Sequence, residues 1–265
     1  MKEPKRAQIT IFIIFALTLI IAVWLVIHIT NTGKKPSFKP EESQNIIPIK
    51  DSANFFTQTC LDNTLKEALD KLGENGGYIY RKPELKIQYT QDYEFTFLYI
   101  DRHNFLPDLA HLQSDIEKYI NDNLRYCLDD FADYEKQGWS IKIPEIKSKT
   151  TIAENDVIVS VEFPAEFTRD KLSFKLDKFY TRNNLPLKKI LNEAGNILNE
   201  AGNILKETED AQKKIDNHKS PSIPPQSFTR NGLLLLNYQY PDTGRFLWII
   251  KEKEYEFFFA VDIET

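Results

Sequence analysis

The chain has 265 residues, 42% of them hydrophobic and 12% aromatic, which is a globular and not a disordered composition. Its formal net charge is -5; Lys2, Lys5 and Arg6 against Glu3 make the first eight residues +2, which leaves -7 for the rest. That balance, with no cluster of Lys and Arg, argues against nucleic acid and anionic lipid surfaces as partners, since both are held by concentrated positive charge.

Residues 1–8 form a short basic tail, and residues 9–29 an unbroken apolar run. The run holds no Asp, Glu, Lys or Arg over 21 residues, and only Thr10, Thr18 and His28 interrupt it. At 1.5 Å per residue a helix over it is about 30 Å long, the thickness of a bilayer's hydrocarbon core. A core helix would show a polar face, and this run has none. A secretory signal is shorter and ends in small residues, whereas Ala22 is followed by five bulky side chains, residues 23–27. The run therefore reads as one retained transmembrane helix in the lipid bilayer, with His28 at the membrane edge. Lys34, Lys35 and Lys39 after the span balance the basic residues before it, so charge alone does not orient it. The basic tail abutting the run, and a pairable set of two cysteines, place the tail in the cytoplasm and the remainder outside.

Lys5-Arg6-Ala7-Gln8, followed at once by the apolar run, resembles the class III signal of archaeal pilin-like proteins. The resemblance implies cleavage between Ala7 and Gln8, with the apolar helix kept on the mature protein. Pilins that polymerise carry Glu at the fifth mature position, where this chain has Phe12. An uncleaved signal anchor is the alternative. Residues 30–50 read as a linker, because Pro36, Pro40 and Pro48 oppose a helix and the composition is polar.

Residues 51–265 are expected to form one extracytoplasmic α+β domain, a mostly antiparallel sheet packed with about three amphipathic helices. Asp51-Ser52 caps a first helix reaching about Leu72, with a stripe of Phe55, Phe56, Leu61, Leu65, Ala68, Leu69 and Leu72. Gly73 is expected to stop it and Gly76-Gly77 to turn the chain. Strand-like pieces follow at 78–80, 85–89 and 93–100. Pro107 opens a second helix, whose stripe runs Leu109, Leu112, Ile116, Ile120, Leu124, Cys127, Leu128, Phe131 and Tyr134 until Gly138. Strands are expected at 139–143, 150–152, 157–163 and 172–179, and in a C-terminal meander at 233–240, 245–251 and 255–263. Residues 187–214 read as a helix in which ILNEAGN occurs twice, from Ile190 and from Ile197. The seven-residue period allows an oligomerising coiled coil, but three heptads weakened by Gly195 and Gly202 favour a long helix laid on the sheet. Residues 219–226, with three prolines, form a loop.

Cys60 in the first helix and Cys127 in the second are the only cysteines, and an even count in an exported domain suggests a disulfide. Two buried thiols are the alternative. His103 and His111 lie near Asp101 and Asp108, but nothing in their spacing puts them on one face, and they read as surface scatter without a metal role. No Ser-nucleophile, zinc-protease, phosphate-loop or dinucleotide signature is present, so no catalytic residue and no cofactor is assigned.

Taken together, KRAQITIF, FFTQTCLDNTLKEALDKLGENGGYI, DIEKYINDNLRYCLDDF and DVIVSVEFP resemble an uncharacterised group of single-span proteins from small-genome archaea. In that group each of the two helices carries one cysteine, here Cys60 and Cys127, and a Gly-Gly-Tyr turn is matched by Gly76, Gly77 and Tyr78. The resemblance implies surface anchoring and a single α+β ectodomain; it brings no activity to carry over and says nothing of a ligand. The expectation is a membrane-anchored surface domain that binds or assembles. An anchored hydrolase using carboxylates or the His103/His111 segment is the second reading, and a pilin-like filament subunit the third.

Overall fold

The computed structural model describes residues 46–89, 94–212, 226–239 and 244–263. The tail 1–8 with the Ala7–Gln8 junction, the apolar run 9–29, the linker to residue 45, and residues 90–93, 213–225, 240–243 and 264–265 lie outside the described residues. Among those described, no helix is long and apolar enough to cross a membrane.

In chain order the elements are α1 (Ile46–Glu74), β1 (Ile87–Tyr89), β2 (Glu94–Ile100), β3 (His103–Asn104), α2 (Leu109–Leu128), a 3-10 turn (Asp129–Phe131) and α3 (Ala132–Glu135). Then come β4 (Ser140–Lys142), β5 (Lys147–Ile152), β6 (Val157–Glu162), β7 (Glu166–Arg169), β8 (Leu172–Lys175), β9 (Lys178–Asn183) and α4 (Leu187–Gln212). The last four strands are β10 (Gln226–Arg230), β11 (Leu233–Gln239), β12 (Arg245–Glu252) and β13 (Tyr255–Asp262). Among the described residues the fold is α+β with three long helices and mostly antiparallel sheets.

The main sheet has the order β1-β2-β13-β12-β11-β10, with β3 on the end of β2. Every pair in it is antiparallel except β13 with β2. The last strand thus sits inside the sheet, and its sequence shows why: Phe257, Phe259 and Val261 face one side and Phe258 and Ala260 the other, all buried. The first set, with Ile250 and Leu235, joins the core under α1 and α4. The second joins Phe95, Phe97, Leu247 and Ile249 in a smaller cluster on the opposite face. Two three-stranded sheets, β4-β7-β8 and β5-β6-β9, complete the fold.

Helix α1 begins at Ile46, inside the stretch assigned to the linker. Pro48 falls in its first turn, where the missing N–H has no intrahelical acceptor to serve and the fixed φ suits the helix. Its far end also differs from expectation. Gly73 lies within the helix, and the stop is a Schellman motif: Gly77 N–H donates to the Leu72 carbonyl at 2.8 Å and Gly76 N–H to the Gly73 carbonyl at 3.4 Å. Gly76 has φ +65°, the left-handed conformation that motif requires. Gly73 is instead a close-approach position, where a β-carbon would collide with the Glu256 carbonyl of β13 and the Tyr255 ring.

Helix α2 is capped by Asp108, whose side chain accepts the His111 N–H at 2.8 Å. The expected stripe breaks after Leu128. Asp129, Asp130 and Phe131 all have positive φ, between 46° and 60°. This left-handed step redirects the chain and drops Phe131 into an aromatic cluster, 4.9 Å from the Phe167 ring and 5.7 Å from Tyr134.

Residues 78–80 are not a strand, because the Ile79 N–H donates to the Asp115 carboxylate at 3.1 Å and not to a neighbouring strand. The stretch 172–179 is two strands in different sheets, and β7 and β10 arise where no strand was expected. Along α4, Ile190, Leu191, Ala194, Ile197, Leu198 and Ala201 are buried against this chain's own core. The two heptad copies act together. Glu193 and Glu200, seven residues apart, hold the guanidinium of Arg230 at the β10–β11 turn, Glu193 at Nε and Glu200 at Nη1. Their glycines allow close docking, since a β-carbon on Gly195 would lie 3.5 Å from Leu106 and one on Gly202 3.2 Å from the Tyr99 hydroxyl. Residues 213–214 of the expected helix lie outside the described residues.

Candidate functional site

Helices α1 and α2 run antiparallel, fixed by a ladder of contacts. Tyr134, just beyond α2, bonds the Ser52 hydroxyl at 3.1 Å, Phe56 meets Phe131 edge-on at 6.0 Å, and Tyr119 donates to Glu67 at 3.3 Å. Between these rungs Cys60 and Cys127 form a disulfide, with Cα atoms 5.6 Å apart. Cys60 is buried, but Cys127 is exposed and not on the buried stripe. One sulfur is therefore within reach of a solution thiol.

The outer flank of this end of the hairpin is aromatic. Phe55 is 71% exposed, Tyr126 82% and Phe56 36%. This corrects the expected first stripe, in which Phe55 and Phe56 were inward. Ala53, Thr57, Cys60 and Thr64 face inward instead. The two threonine hydroxyls donate to the carbonyls of Ala53 and Cys60, at 2.8 Å each, so they are buried without unmet polar atoms.

The histidines take separate partners. His103 is exposed on β3, its Nδ1 2.6 Å from the Asp101 carbonyl oxygen. His111 lies in the first turn of α2, with Nε2 3.6 Å from Asp115 and its ring 5.1 Å from that of Tyr78. Asp115, buried, uses its carboxylate to hold the 79–80 backbone. Among the described residues no group of three or more His, Cys, Asp or Glu side chains is disposed to hold a metal ion.

Two open grooves lie among the described residues. One, of about 550 Å³, runs along α2 past Glu117, Lys118, Asn121, Asp122 and Arg125 to Pro144. Its polar groups already have work within the fold. Glu117 accepts the Thr150 N–H at 2.7 Å, Asn121 accepts the Ser148 N–H at 2.9 Å, and Gln113 donates to the Thr150 carbonyl at 3.2 Å. Helix residues four apart rise about 6 Å and strand residues two apart about 6.7 Å, so Glu117 and Asn121 match Thr150 and Ser148 on the outer edge of β5 and, with Gln113, close that sheet edge. The signal was present in the sequence as three polar residues at four-residue spacing on one helix. The other groove, of about 480 Å³, has Phe97 and Ile100 as its apolar wall, with Arg245 paired to Asp262 at 3.0 Å and Lys86 to Asp101 at 3.1 Å.

Tyr80 meets two residues of the first groove, its hydroxyl 3.2 Å from Asp122 and its ring 4.1 Å from the Lys118 ammonium. Burial and then the Asp122 carboxylate push its pKa up to about 12. A raised tyrosine pKa stabilises the fold fully below the unfolded value near 10, and that contribution is lost as pH rises through the folded value. An ultraviolet titration of the folded protein should therefore show Tyr80 among the phenols that ionise well above pH 10, and Asp122→Asn should lower its ionisation while burial keeps it above the ordinary value.

No protein-family model, curated protein or solved structure matches this chain. The described residues form a disulfide-closed helical hairpin with an exposed aromatic flank, set on a mostly antiparallel sheet.

Proposed function

We propose that the chain is a membrane-tethered domain on the outer side of the cell membrane that binds or assembles with a partner. The observation that carries this reading is the Cys60–Cys127 disulfide. Disulfides persist in oxidising compartments and are rare in the reducing cytosol. Joined to an uncharged run of 21 residues, it fits a chain whose residues 9–29 span the bilayer and whose domain faces outward. The Lys5-Arg6-Ala7-Gln8 sequence supports maturation by cleavage before Gln8, with Phe12 disfavouring assembly into a filament.

The test is thiol labelling of intact cells with a membrane-impermeant maleimide. Without reductant Cys60 and Cys127 should stay unlabelled, and after mild reduction Cys127 should label first because it is the exposed member. Labelling before reduction, or only after lysis, would overturn the outward, oxidised placement.

A further inference from the structure

We infer that the aromatic flank of the α1–α2 hairpin is a membrane-resting surface, which seats the domain on the neutral headgroup layer of the bilayer that anchors it. The inference rests on the tethered reading above and adds where the domain touches the membrane.

At 3.6 residues per turn, Phe55 lies about 140° around α1 from Cys60, and Tyr126 about 100° around α2 from Cys127. Because the helices are antiparallel, both rotations carry the side chains to the same flank, while Leu61 and Leu128 turn to the opposite, buried one. Phe55 and Tyr126 are thus exposed on one surface, with the edge of Phe56 between the helices. One turn on from Phe55, Gln58 donates to the Tyr180 carbonyl at 2.9 Å, which brings β9 against this part of α1, and Tyr180 itself is 62% exposed. Aromatic rings, with an apolar body and in tyrosine a polar tip, are the side chains enriched at membrane interfaces.

The position of the flank selects the occupant. The chain enters the domain at Ile46, at this same end of the hairpin, and Phe55 is nine residues, about 14 Å of helix, further on. Residues 30–45 number sixteen and cannot reach beyond roughly 55 Å when fully extended. The domain is therefore held near its own bilayer, and contact between flank and lipid is intramolecular, so a weak affinity is enough. Charge narrows the lipid class. Asp51 precedes Phe55 by one turn, Asp122 precedes Tyr126 by one turn and Asp129 follows it, while the nearby Arg125, Lys178 and Arg182 are paired with Asp130, Glu162 and Asp156, which favours a neutral surface over an anionic one.

The test uses the full chain in phosphatidylcholine nanodiscs, with or without bromine on the acyl chains as a quencher of tryptophan. The bromine-sensitive part of the native emission reads the tether through Trp24 in the apolar run, since the other two tryptophans, Trp139 and Trp248, belong to the domain. Phe55→Trp and Tyr126→Trp, each at an already exposed position, read the flank. The added emission of each variant should fall roughly twofold in brominated discs, as for a ring seated at the headgroup boundary, and fall less when anionic lipid is mixed in. Quenching of Trp24 with no quenching of the added tryptophans would overturn this inference and leave the tether intact. Added emission that depends on the number of chains per disc and not on bromine would assign the flank to a second copy. Loss of Trp24 quenching would remove the tether and this inference with it.

Discussion

Replacing Cys60 and Cys127 together by alanine should lower the melting temperature of the domain by roughly 8–16 °C, the largest effect expected of any change to the two helices. The bond closes a loop with a sequence separation of 67 residues. In the chain-entropy account such a loop restricts the unfolded chain enough to stabilise the fold by ~4 kcal/mol. At roughly 2–4 °C per kcal/mol for a domain of this size, the shift follows. Truncating the buried Cys60 side chain adds a small packing loss, and truncating the exposed Cys127 adds almost none. Thermal unfolding with and without reductant measures the same quantity on the unmodified chain. The two experiments should agree, because the exposed sulfur lets the reductant act on the folded protein. A shift under about 3 °C would mean that the unfolded chain is already held together in this region, for instance by residual α1–α2 contacts.

Arg230→Met should cost roughly 3–5 kcal/mol, read by urea unfolding at neutral pH, because it leaves a buried charge without its partner. The Glu193 side chain is only 2% exposed and accepts from Arg230 Nε, with Asn231 Nδ2 3.1 Å away on its other oxygen. Glu200, the equivalent residue of the second heptad, is 59% exposed, so Glu200→Ala should cost less than about 1 kcal/mol. The double variant Arg230→Met with Glu193→Gln should recover much of the loss, since the neutral amide keeps the shape and removes the stranded charge. Additive losses in the double variant would show that the damage at Arg230 comes from packing and not from charge.

The sequence made the fold legible wherever burial followed a clean period. The stripes of α2 and α4 and the alternating valines of β6 were readable because each faces a single core. It was less legible where backbone geometry decided the outcome. Phe55 and Phe56 look like core residues by type, yet helix phase turns Phe55 into solvent. Gly73 looks like a helix stop by type, yet the close approach of β13 explains it, and the stop falls three residues later. The break after Leu128 leaves no apolar gap in the sequence, because Phe131 and Tyr134 continue the spacing while three left-handed residues change the path. The cysteine pairing was legible from the count and the helices alone. The edge cover of β5 left only the four-residue spacing of Gln113, Glu117 and Asn121 as its trace, because reading it needs the register between a helix and a strand distant in sequence.

The heptad duplication gains its meaning in the same way. As sequence, ILNEAGN repeated twice suggested either a partner helix or a lengthened surface helix. In the fold its apolar positions to Ala201 are buried by this chain, its two glutamates share one arginine, and its two glycines let α4 lie close to Tyr99 and Leu106.

Protease treatment of intact cells, followed by membrane fractionation, tests the tethered, outward-facing placement most directly. Digestion of the chain from outside, with a short fragment containing residues 9–29 left in the membrane pellet after an alkaline wash, is the result expected. A domain that survives until the cells are lysed, or a full-length chain recovered in the soluble fraction, would contradict it.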